Sequence, residues 1–176
     1  MEARRLALVA VFSALMFVVA STNRLFHTIA HVTLDAVLCT CLLVVLMEVV
    51  KRPGVATSVG FVTGLLMVLL GSPAISIVAW SVRGFVLDLV VYGLFRGRNR
   101  GIACYGVAAF AAFFLQSVVG RTLYLLLFMG IGAWLSAFRG IFLPLIAFGS
   151  ALSLVGVYLA LECIAPRVAR IAGDRV

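Results

Sequence analysis

Two polar stripes with helical spacing interrupt the apolar segments of this sequence, and each contains an arginine. The members of each stripe recur at i, i+4 and i+7, which places them on one face of a helix. The two stripes are Ser76, Trp80 and Arg83, and Ser117, Arg121 and Tyr124. Aromatic faces can stack a flat ring, and a guanidinium group can bind a hydrogen-bond acceptor. The stripes therefore predict the ligand-binding residues of a polar pocket.

A structural role for the two arginines is the alternative. A charge inside a bilayer costs several kcal/mol unless it is paired, hydrated or facing a cavity. Arg83 and Arg121 could pair with Asp35, Asp88 or backbone carbonyls. Asp88 follows Arg83 by five residues, which is about 140° around a helix, so Asp88 is expected to face another neighbour.

Another polar segment runs from Asn23 and Arg24 to Asp35 and contains His27 and His31. Histidines at i and i+4 can share a metal ion, and a carboxylate is a common third ligand. A straight helix rises about 12 Å between His27 and Asp35, so one ion could bind both only if the segment bends. A loop that lines or caps an organic ligand is the preferred interpretation, and interfacial anchoring is a further one. No metal site is predicted.

The first apolar segment carries Ala3, Ala7, Ala10 and Ala14, whose spacings of four, three and four residues form one smooth stripe. Such a stripe permits close approach of another helix in a membrane. The stripe predicts a partner-docking surface, or contact with another helix of the same chain. Two further small-residue stripes are assigned to internal packing: Ala56, Gly60 and Gly64, and Gly149, Ser153, Gly156 and Ala160.

Residue patterns typical of catalysis are missing from the sequence. It has no nucleophile elbow, no glycine-rich phosphate loop and no HExxH motif. Its four cysteines lie in apolar stretches without CxxC spacing, so buried free thiols are expected. The chain is therefore predicted not to be an enzyme and to hold no cofactor.

The elements that must position these residues are apolar helices, because 65% of the 176 residues are hydrophobic and 11% are charged. Soluble domains are roughly half apolar and one quarter charged. A crossing uses about 20 residues, so the length allows roughly six. We predict an all-α integral membrane protein with one domain, residues 1–176, and six transmembrane helices near 6–20, 33–50, 55–71, 74–95, 102–129 and 141–163.

The basic residues indicate the orientation of these helices. Ten of the 14 fall at the N-terminus, in two loops and at the C-terminus, all on one side of a six-helix bundle. They are Arg4, Arg5, Lys51, Arg52, Arg96, Arg98, Arg100, Arg167, Arg170 and Arg175. Because cytoplasmic loops are rich in Lys and Arg, both termini are expected inside the cytoplasmic membrane. The net charge of +8 is scattered over short loops, so nucleic acid is not an expected partner.

Two motifs resemble the substrate-binding S components of energy-coupling factor (ECF) vitamin transporters. The opening Arg-Arg-Leu-Ala-Leu-Val-Ala-Val-Phe-Ser-Ala-Leu-Met, with its Ala10-x-x-x-Ala14, is similar to the first helix of that family. Val-Arg-Gly-Phe-Val-Leu-Asp-Leu-Val at 82–90, followed by Arg-Gly-Arg-Asn-Arg, resembles the fourth helix and its inner loop. Chain length, span number and orientation agree with the family across the whole chain.

The resemblance implies a function and its partners. In that family the alanine motif packs on a transmembrane coupling subunit, which rests on two ATPases, so ATP is used only by partners. The pocket lies between the first outer loop and helices four to six. It would hold a small water-soluble vitamin or precursor, with a lean to a thiamine precursor such as hydroxymethylpyrimidine. The loops 21–32 and 130–140, with Trp134, would form an outer gate.

Three other functions remain open from the sequence. A structural membrane protein similar to the MreD family would have comparable size and helix number, and its polar stripes would neutralise one another instead of forming a cavity. A nickel or cobalt uptake subunit is disfavoured, because those members rely on histidine at the extreme N-terminus and this chain begins Met-Glu-Ala. A membrane-embedded lipid enzyme is disfavoured by the lack of paired acids.

Overall fold

The computed structural model describes residues 2–22, 29–95, 101–128, 140 and 142–168. All of the regular structure in these ranges is helical. Among the described residues five helices are long and apolar enough to cross a membrane, whereas the sequence analysis predicts six crossings. They are Arg5–Thr22, Val32–Val50, Ile75–Leu94, Ile102–Phe128 and Leu143–Val168.

We number the helices of the described ranges α1 to α6. Three of them are α-helical throughout: α1 is Glu2–Thr22, α3 is Val55–Leu69 and α5 is Ile102–Phe128. The others contain a π-helical segment. In α2 the segments are Ile29–Leu34, Asp35–Cys39 (π) and Thr40–Val50; in α4 they are Ile75–Asp88 and Leu89–Leu94 (π); in α6 they are Leu143–Tyr158 and Leu159–Ile164 (π).

Helix α3 differs from the other five in length. It has 15 residues, which span about 22 Å, whereas a bilayer core is about 30 Å thick. The sequence analysis predicts a full crossing at 55–71. The structure gives an apolar helix in this place that is shorter than a typical crossing.

Glycines bring α3 and α4 into backbone contact. A Cβ at Gly60 would overlap the carbonyl oxygen of Trp80, and one at Gly64 would lie 2.7 Å from the Cα of Ile77. A Cβ at Gly84 would overlap the carbonyl oxygen of Ala56. Only glycine fits so close to a neighbouring backbone, so these residues fix α3 against α4. The predicted packing role of the 56–64 stripe is confirmed.

The stripe on α6 also packs inside the bundle. Gly149 meets the ring of Phe113 on α5 and the side chain of Val32 on α2. Gly156 lies against the backbone of Val37 on α2, where any side chain would overlap the Val37 carbonyl oxygen. This predicted packing role is confirmed as well.

The helices form a closed arrangement in which α3, α4, α5, α6 and α2 contact one another in turn. Helix α1 packs on α3 and α2 from outside this ring. Its inward face includes Ser13, Met16 and Ala20, which are buried. Helix α2 has the most buried centre, since every residue from Thr40 to Met47 except Leu42 is buried.

Asp88 on α4 holds the first turn of α3. Its Oδ2 accepts hydrogen bonds from the backbone N–H of Thr57 at 2.8 Å and from the Thr57 hydroxyl at 2.6 Å. The first amides of a helix lack partners within the helix, and a carboxylate there is stabilising. As expected from helical geometry, Asp88 faces a neighbour other than Arg83.

The cysteines agree with the expectation of buried free thiols with one exception. Cys39, Cys41 and Cys104 are free and buried, but Cys163 is free and exposed. Cys163 lies in the last π-helical segment of α6, where the bundle covers fewer side chains. The prediction of burial is wrong for Cys163, because an apolar sequence does not distinguish a packed side chain from an exposed one.

Candidate functional site: two arginines and a cavity

Arg83 lies at the centre of a polar network within the bundle and is 1% exposed. Its Nη1 donates to a carboxylate oxygen of Asp35 at 3.3 Å and to the amide oxygen of Gln116 at 3.1 Å. Its Nη2 donates to the backbone carbonyl of Asp35 at 3.2 Å and to the hydroxyl of Thr40 at 2.7 Å. One guanidinium group therefore joins α4 to α2 and α5.

The network depends on the π-helical segment of α2. This segment begins at Asp35, and a π turn changes the register of the backbone hydrogen bonds. Both the side chain and the backbone carbonyl of Asp35 reach Arg83, and Thr40, the first residue after the segment, adds its hydroxyl. The bulge thus places three acceptor atoms of one helix around one cation.

Two aromatic rings flank the same guanidinium group. The Cζ atom of Arg83 lies 5.5 Å from the ring centre of Trp80 and 5.3 Å from that of Phe113. Both distances are within the range of a cation–π interaction. Arg83 is thereby enclosed by partners from its own chain, which matches the structural alternative considered for it from the sequence.

A separate cavity opens where α4 begins, α5 ends and α6 begins. Its volume is about 480 Å³, within the range of small-molecule sites. The lining is largely apolar, with three polar side chains. The lining residues are Pro73, Ile75, Ser76, Ala79, Gly120, Arg121, Tyr124, Leu125 and Phe142.

Arg121 supplies the positive charge of this cavity. Its Cζ atom lies 5.0 Å from the ring centre of Phe142. Its Nη1 atom is buried and has no hydrogen-bond partner in the described part of the chain. Tyr124, one turn further along α5, is half exposed and its ring lies 5.0 Å from that of Phe128. The cavity therefore offers a hydrogen-bond donor and an aromatic face to a bound molecule.

The structure separates the two predicted stripes. Ser76, Arg121 and Tyr124 line the cavity, whereas Trp80 and Arg83 belong to the interior network. Ser117 does not line the cavity among the described residues. A ligand contact for Trp80, Arg83 or Ser117 stays a prediction.

Several predicted ligand residues lie outside the described residues. They are Asn23, Arg24, His27 and Trp134, and the side chain of His31. Among the described residues no three His, Cys, Asp or Glu side chains form a group that could hold a metal ion. Asp35, the third member of the predicted histidine series, is bound to Arg83.

Sequence reasoning missed two parts of this region. Gln116 and Phe142 were not singled out, although one completes the Arg83 network and the other stacks on Arg121. Gln116 carried a signal, since it is an amide within an apolar segment and needs a partner there. Phe142 carried none, because it is one of 13 phenylalanines in the chain.

The alanine stripe of α1 is uncovered by the helices of the described ranges. Ala3, Ala7, Ala10 and Ala14 are all exposed. Their face points away from the buried side of α1, which contains Ser13 and Met16. Contact with another described helix of the same chain does not account for this stripe. Partner docking through it stays a prediction.

Comparison with protein families identifies the class. Residues 3–120 match the family described as "Hypothetical bacterial integral membrane protein (Trep_Strep)". The chain belongs to the Trep_Strep family. The matched part contains the alanine stripe, Asp35 and Arg83, and it ends one residue before Arg121. Neither a curated protein nor a solved structure shows significant similarity to the chain.

Proposed function

We propose that this Trep_Strep protein is the substrate-capture (S) subunit of an ECF-type importer. It would bind a small water-soluble vitamin or vitamin precursor and deliver it when docked on an ATP-driven module. The observation that carries the proposal is the cavity of about 480 Å³, which is lined by Arg121, a residue whose Nη1 has no hydrogen-bond partner among the described residues. A bundle that served only to pack helices would have little use for such a void.

The position of the cavity supports capture from outside. It lies at the end of the bundle where α4 begins and α5 ends, opposite the loop that contains Lys51 and Arg52. Since basic loops stay in the cytoplasm, the cavity would face the exterior of the cytoplasmic membrane. This orientation belongs to the proposal, together with six crossings and both termini inside.

The exposed stripe of α1 supports docking to a second membrane protein. Within a bilayer, helices associate through close packing, and a run of alanines permits it. Ala10 and Ala14 would contact the transmembrane coupling subunit, and Ala3 and Ala7 would extend the contact. ATP hydrolysis would take place on two ATPase partners, so this subunit would need no catalytic residue and no cofactor.

Delivery requires that the subunit change its orientation relative to the coupling subunit after it has bound ligand. A ligand can drive such a change only if it binds the two states with different affinity. The rigid contacts between α3 and α4 favour movement of the subunit as a body, since Gly60 and Gly84 leave no room for sliding at that interface. The mobile contact would then be the alanine stripe against the coupling subunit.

A steric substitution tests docking. Ala14→Trp should abolish copurification of the coexpressed coupling subunit and uptake by cells, while ligand binding by the isolated subunit stays intact. Leu15→Trp is the matched control, because Leu15 is also exposed on α1 but lies about 100° away around the helix. Assembly that survives both Ala10→Trp and Ala14→Trp would eliminate the docking role.

A scaffold function of the MreD type is the second candidate. The pairing of Arg83 with Asp35 at 3.3 Å favours it, because this half of the predicted polar pocket is neutralised within the chain. A scaffold would keep assembling with protein partners after the cavity is filled. Ala79→Phe places a ring in the cavity, and in a variant that still unfolds at the wild-type temperature it should impair a capture subunit but not a scaffold.

A further inference from the structure

The guanidinium group of Arg121 is only partly satisfied by the described residues. It stacks on the ring of Phe142, but its buried Nη1 has no hydrogen-bond partner among the described residues. A buried donor without an acceptor is costly, and more so when it is charged. An acceptor from outside the chain would remove this cost.

Three carboxylates of the described residues already have partners within the chain. The six acidic residues are Glu2, Asp35, Glu48, Asp88, Glu162 and Asp174. Asp35 is bound to Arg83. Asp88 is bonded to Thr57, and Glu48 accepts a hydrogen bond from Tyr105 at 2.7 Å. No ion pair between Arg121 and a carboxylate is present among the described residues.

We infer that the cavity binds an anionic molecule, whose carboxylate or phosphate group pairs with Arg121 and whose apolar or aromatic body fills the remaining space. This inference rests on the proposed function, since it names the chemical class of the captured substrate. An anion at Arg121 would supply the counter-charge that this arginine lacks among the described residues. Arginine binds carboxylate and phosphate through two parallel N–H donors, and Arg121 is the cationic residue in the cavity lining.

The remainder of the lining selects the body of the ligand. Ile75, Ala79 and Leu125 offer apolar contact, and Tyr124 offers an aromatic face. Ser76 adds one hydroxyl. A molecule that is polar at every edge would leave its polar groups unsatisfied against this wall, at a cost in binding. One charged end and one apolar part match the cavity better.

The charge of the ligand therefore distinguishes among vitamin precursors. An uncharged hydroxymethylpyrimidine would fill space but would leave Arg121 without its counter-charge. A carboxylated or phosphorylated ring would satisfy it. We expect the carboxylated or phosphorylated form of a substrate to bind at least about 10-fold more tightly than its uncharged form, because it adds a charge-assisted hydrogen bond.

Mass spectrometry of molecules that copurify with the full-length protein tests this inference. Wild type is compared with Arg121→Gln, Arg121→Lys and Arg52→Gln, each checked for thermal unfolding to establish that it is folded. Arg52 is the matched control, because it is exposed at the opposite end of the bundle. We expect an anionic small molecule near equimolar amount in wild type and in Arg52→Gln, at least about 10-fold less in Arg121→Gln, and partial recovery in Arg121→Lys.

The same chemistry could come from a lipid headgroup, and reconstitution distinguishes the two sources. Protein is placed in nanodiscs of phosphatidylcholine alone or with phosphatidylglycerol, and 2-naphthoate or 2-naphthamide is added as the probe. If naphthoate raises the thermal unfolding temperature more than naphthamide does, and Arg121→Gln abolishes this difference, the result would support binding of a free anion. Protection by phosphatidylglycerol alone would support anion binding by Arg121 but identify lipid as its source, which would contradict substrate capture.

Other outcomes would overturn the inference in ways that separate it from the proposed function. An uncharged molecule bound at equimolar amount would refute the anionic class and leave capture standing. An anionic molecule that stays bound in Arg121→Gln would place its site elsewhere. If no molecule copurifies with the protein, and neither naphthoate nor phosphatidylglycerol raises its unfolding temperature, both the anionic ligand and substrate capture would be refuted. Loss of coupling-subunit docking, with anion binding intact, would refute only the importer.

Discussion

Arg83 and Arg121 are the same residue type in adjacent helices of one bundle, but their surroundings differ. Arg83 donates to four acceptor atoms from α2 and α5 and lies between two aromatic rings. Arg121 has one ring and a buried nitrogen without an acceptor in the described part of the chain. The first arginine is a part of the packed interior, and the second borders a cavity.

The difference teaches where a membrane protein can bind a charged molecule. A buried cation that is fully paired offers nothing to a ligand, because binding would first have to break existing contacts. A cation with an unpaired buried donor raises the free energy of the empty protein. An anion that binds to this donor lowers the free energy again. The interior around Arg83 is therefore assigned to structure, and the end of the bundle around Arg121 is the candidate for function.

Removal of the Arg83 side chain should have the largest effect on stability. Arg83→Met leaves the carboxylate of Asp35 without its counter-charge inside the bundle. Breaking a buried pair in this way costs about 3 to 5 kcal/mol. We expect a large fall in the midpoint of thermal unfolding in detergent micelles, or a loss of folded protein.

A double variant sharpens this prediction. Arg83→Met combined with Asp35→Leu removes both charges, so part of the lost stability should return. Thr40 and Gln116 would still lack their partner, so recovery should be incomplete. If the single variant unfolded at the wild-type temperature, the Arg83 network would not stabilise the bundle and the contrast with Arg121 would fail.

The contact between α3 and α4 should be the next most sensitive feature. In Gly84→Ala the new methyl group would overlap the carbonyl oxygen of Ala56, so the helices must move apart. Overpacking of this kind costs about 1 to 3 kcal/mol. Unfolding midpoints measured by tryptophan fluorescence would report the loss.

Gly93→Ala is the matched control in the same helix. The nearest atom to its new methyl group is the Cδ1 of Leu89 at 3.4 Å, which is an ordinary contact with a side chain that can move. Alanine favours a helix over glycine by about 1 kcal/mol, so this variant should be neutral or more stable. Equal destabilisation of both variants would mean that helix propensity, not the α3–α4 contact, governs the result.

Much of the fold could be predicted from the sequence, because apolar length and small-residue spacing are local signals. The positions of the helices and the packing roles of Gly60 and Gly156 followed from them. The shortness of α3 did not, since Leu70 and Gly71 continue the apolar run beyond the last helical residue. Cys163 shows the same limit, because a lipid-facing residue is as apolar as a core residue.

The sequence predicts which residues of the candidate site share a helix face, but not which residues they contact. Spacing places a residue on a face of its helix but does not identify the helix that packs against that face. Arg83 and Asp35 are 48 positions apart, and the π-helical segment that brings them together leaves no pattern in the sequence. The two arginine stripes were therefore indistinguishable until the partners of each were known.

Arg121→Met should have the smallest effect on the free energy of unfolding, and this result would complete the contrast with Arg83. The protein must first be freed of bound molecules by dialysis, because a ligand that needs Arg121 would add to wild-type stability. In the ligand-free state, methionine removes a buried donor that has no acceptor among the described residues and fills similar space against Phe142. We expect a change within about 0.5 kcal/mol, or a gain in stability. A loss as large as that of Arg83→Met would make Arg121 a second structural anchor and would remove the reason to assign it to a ligand.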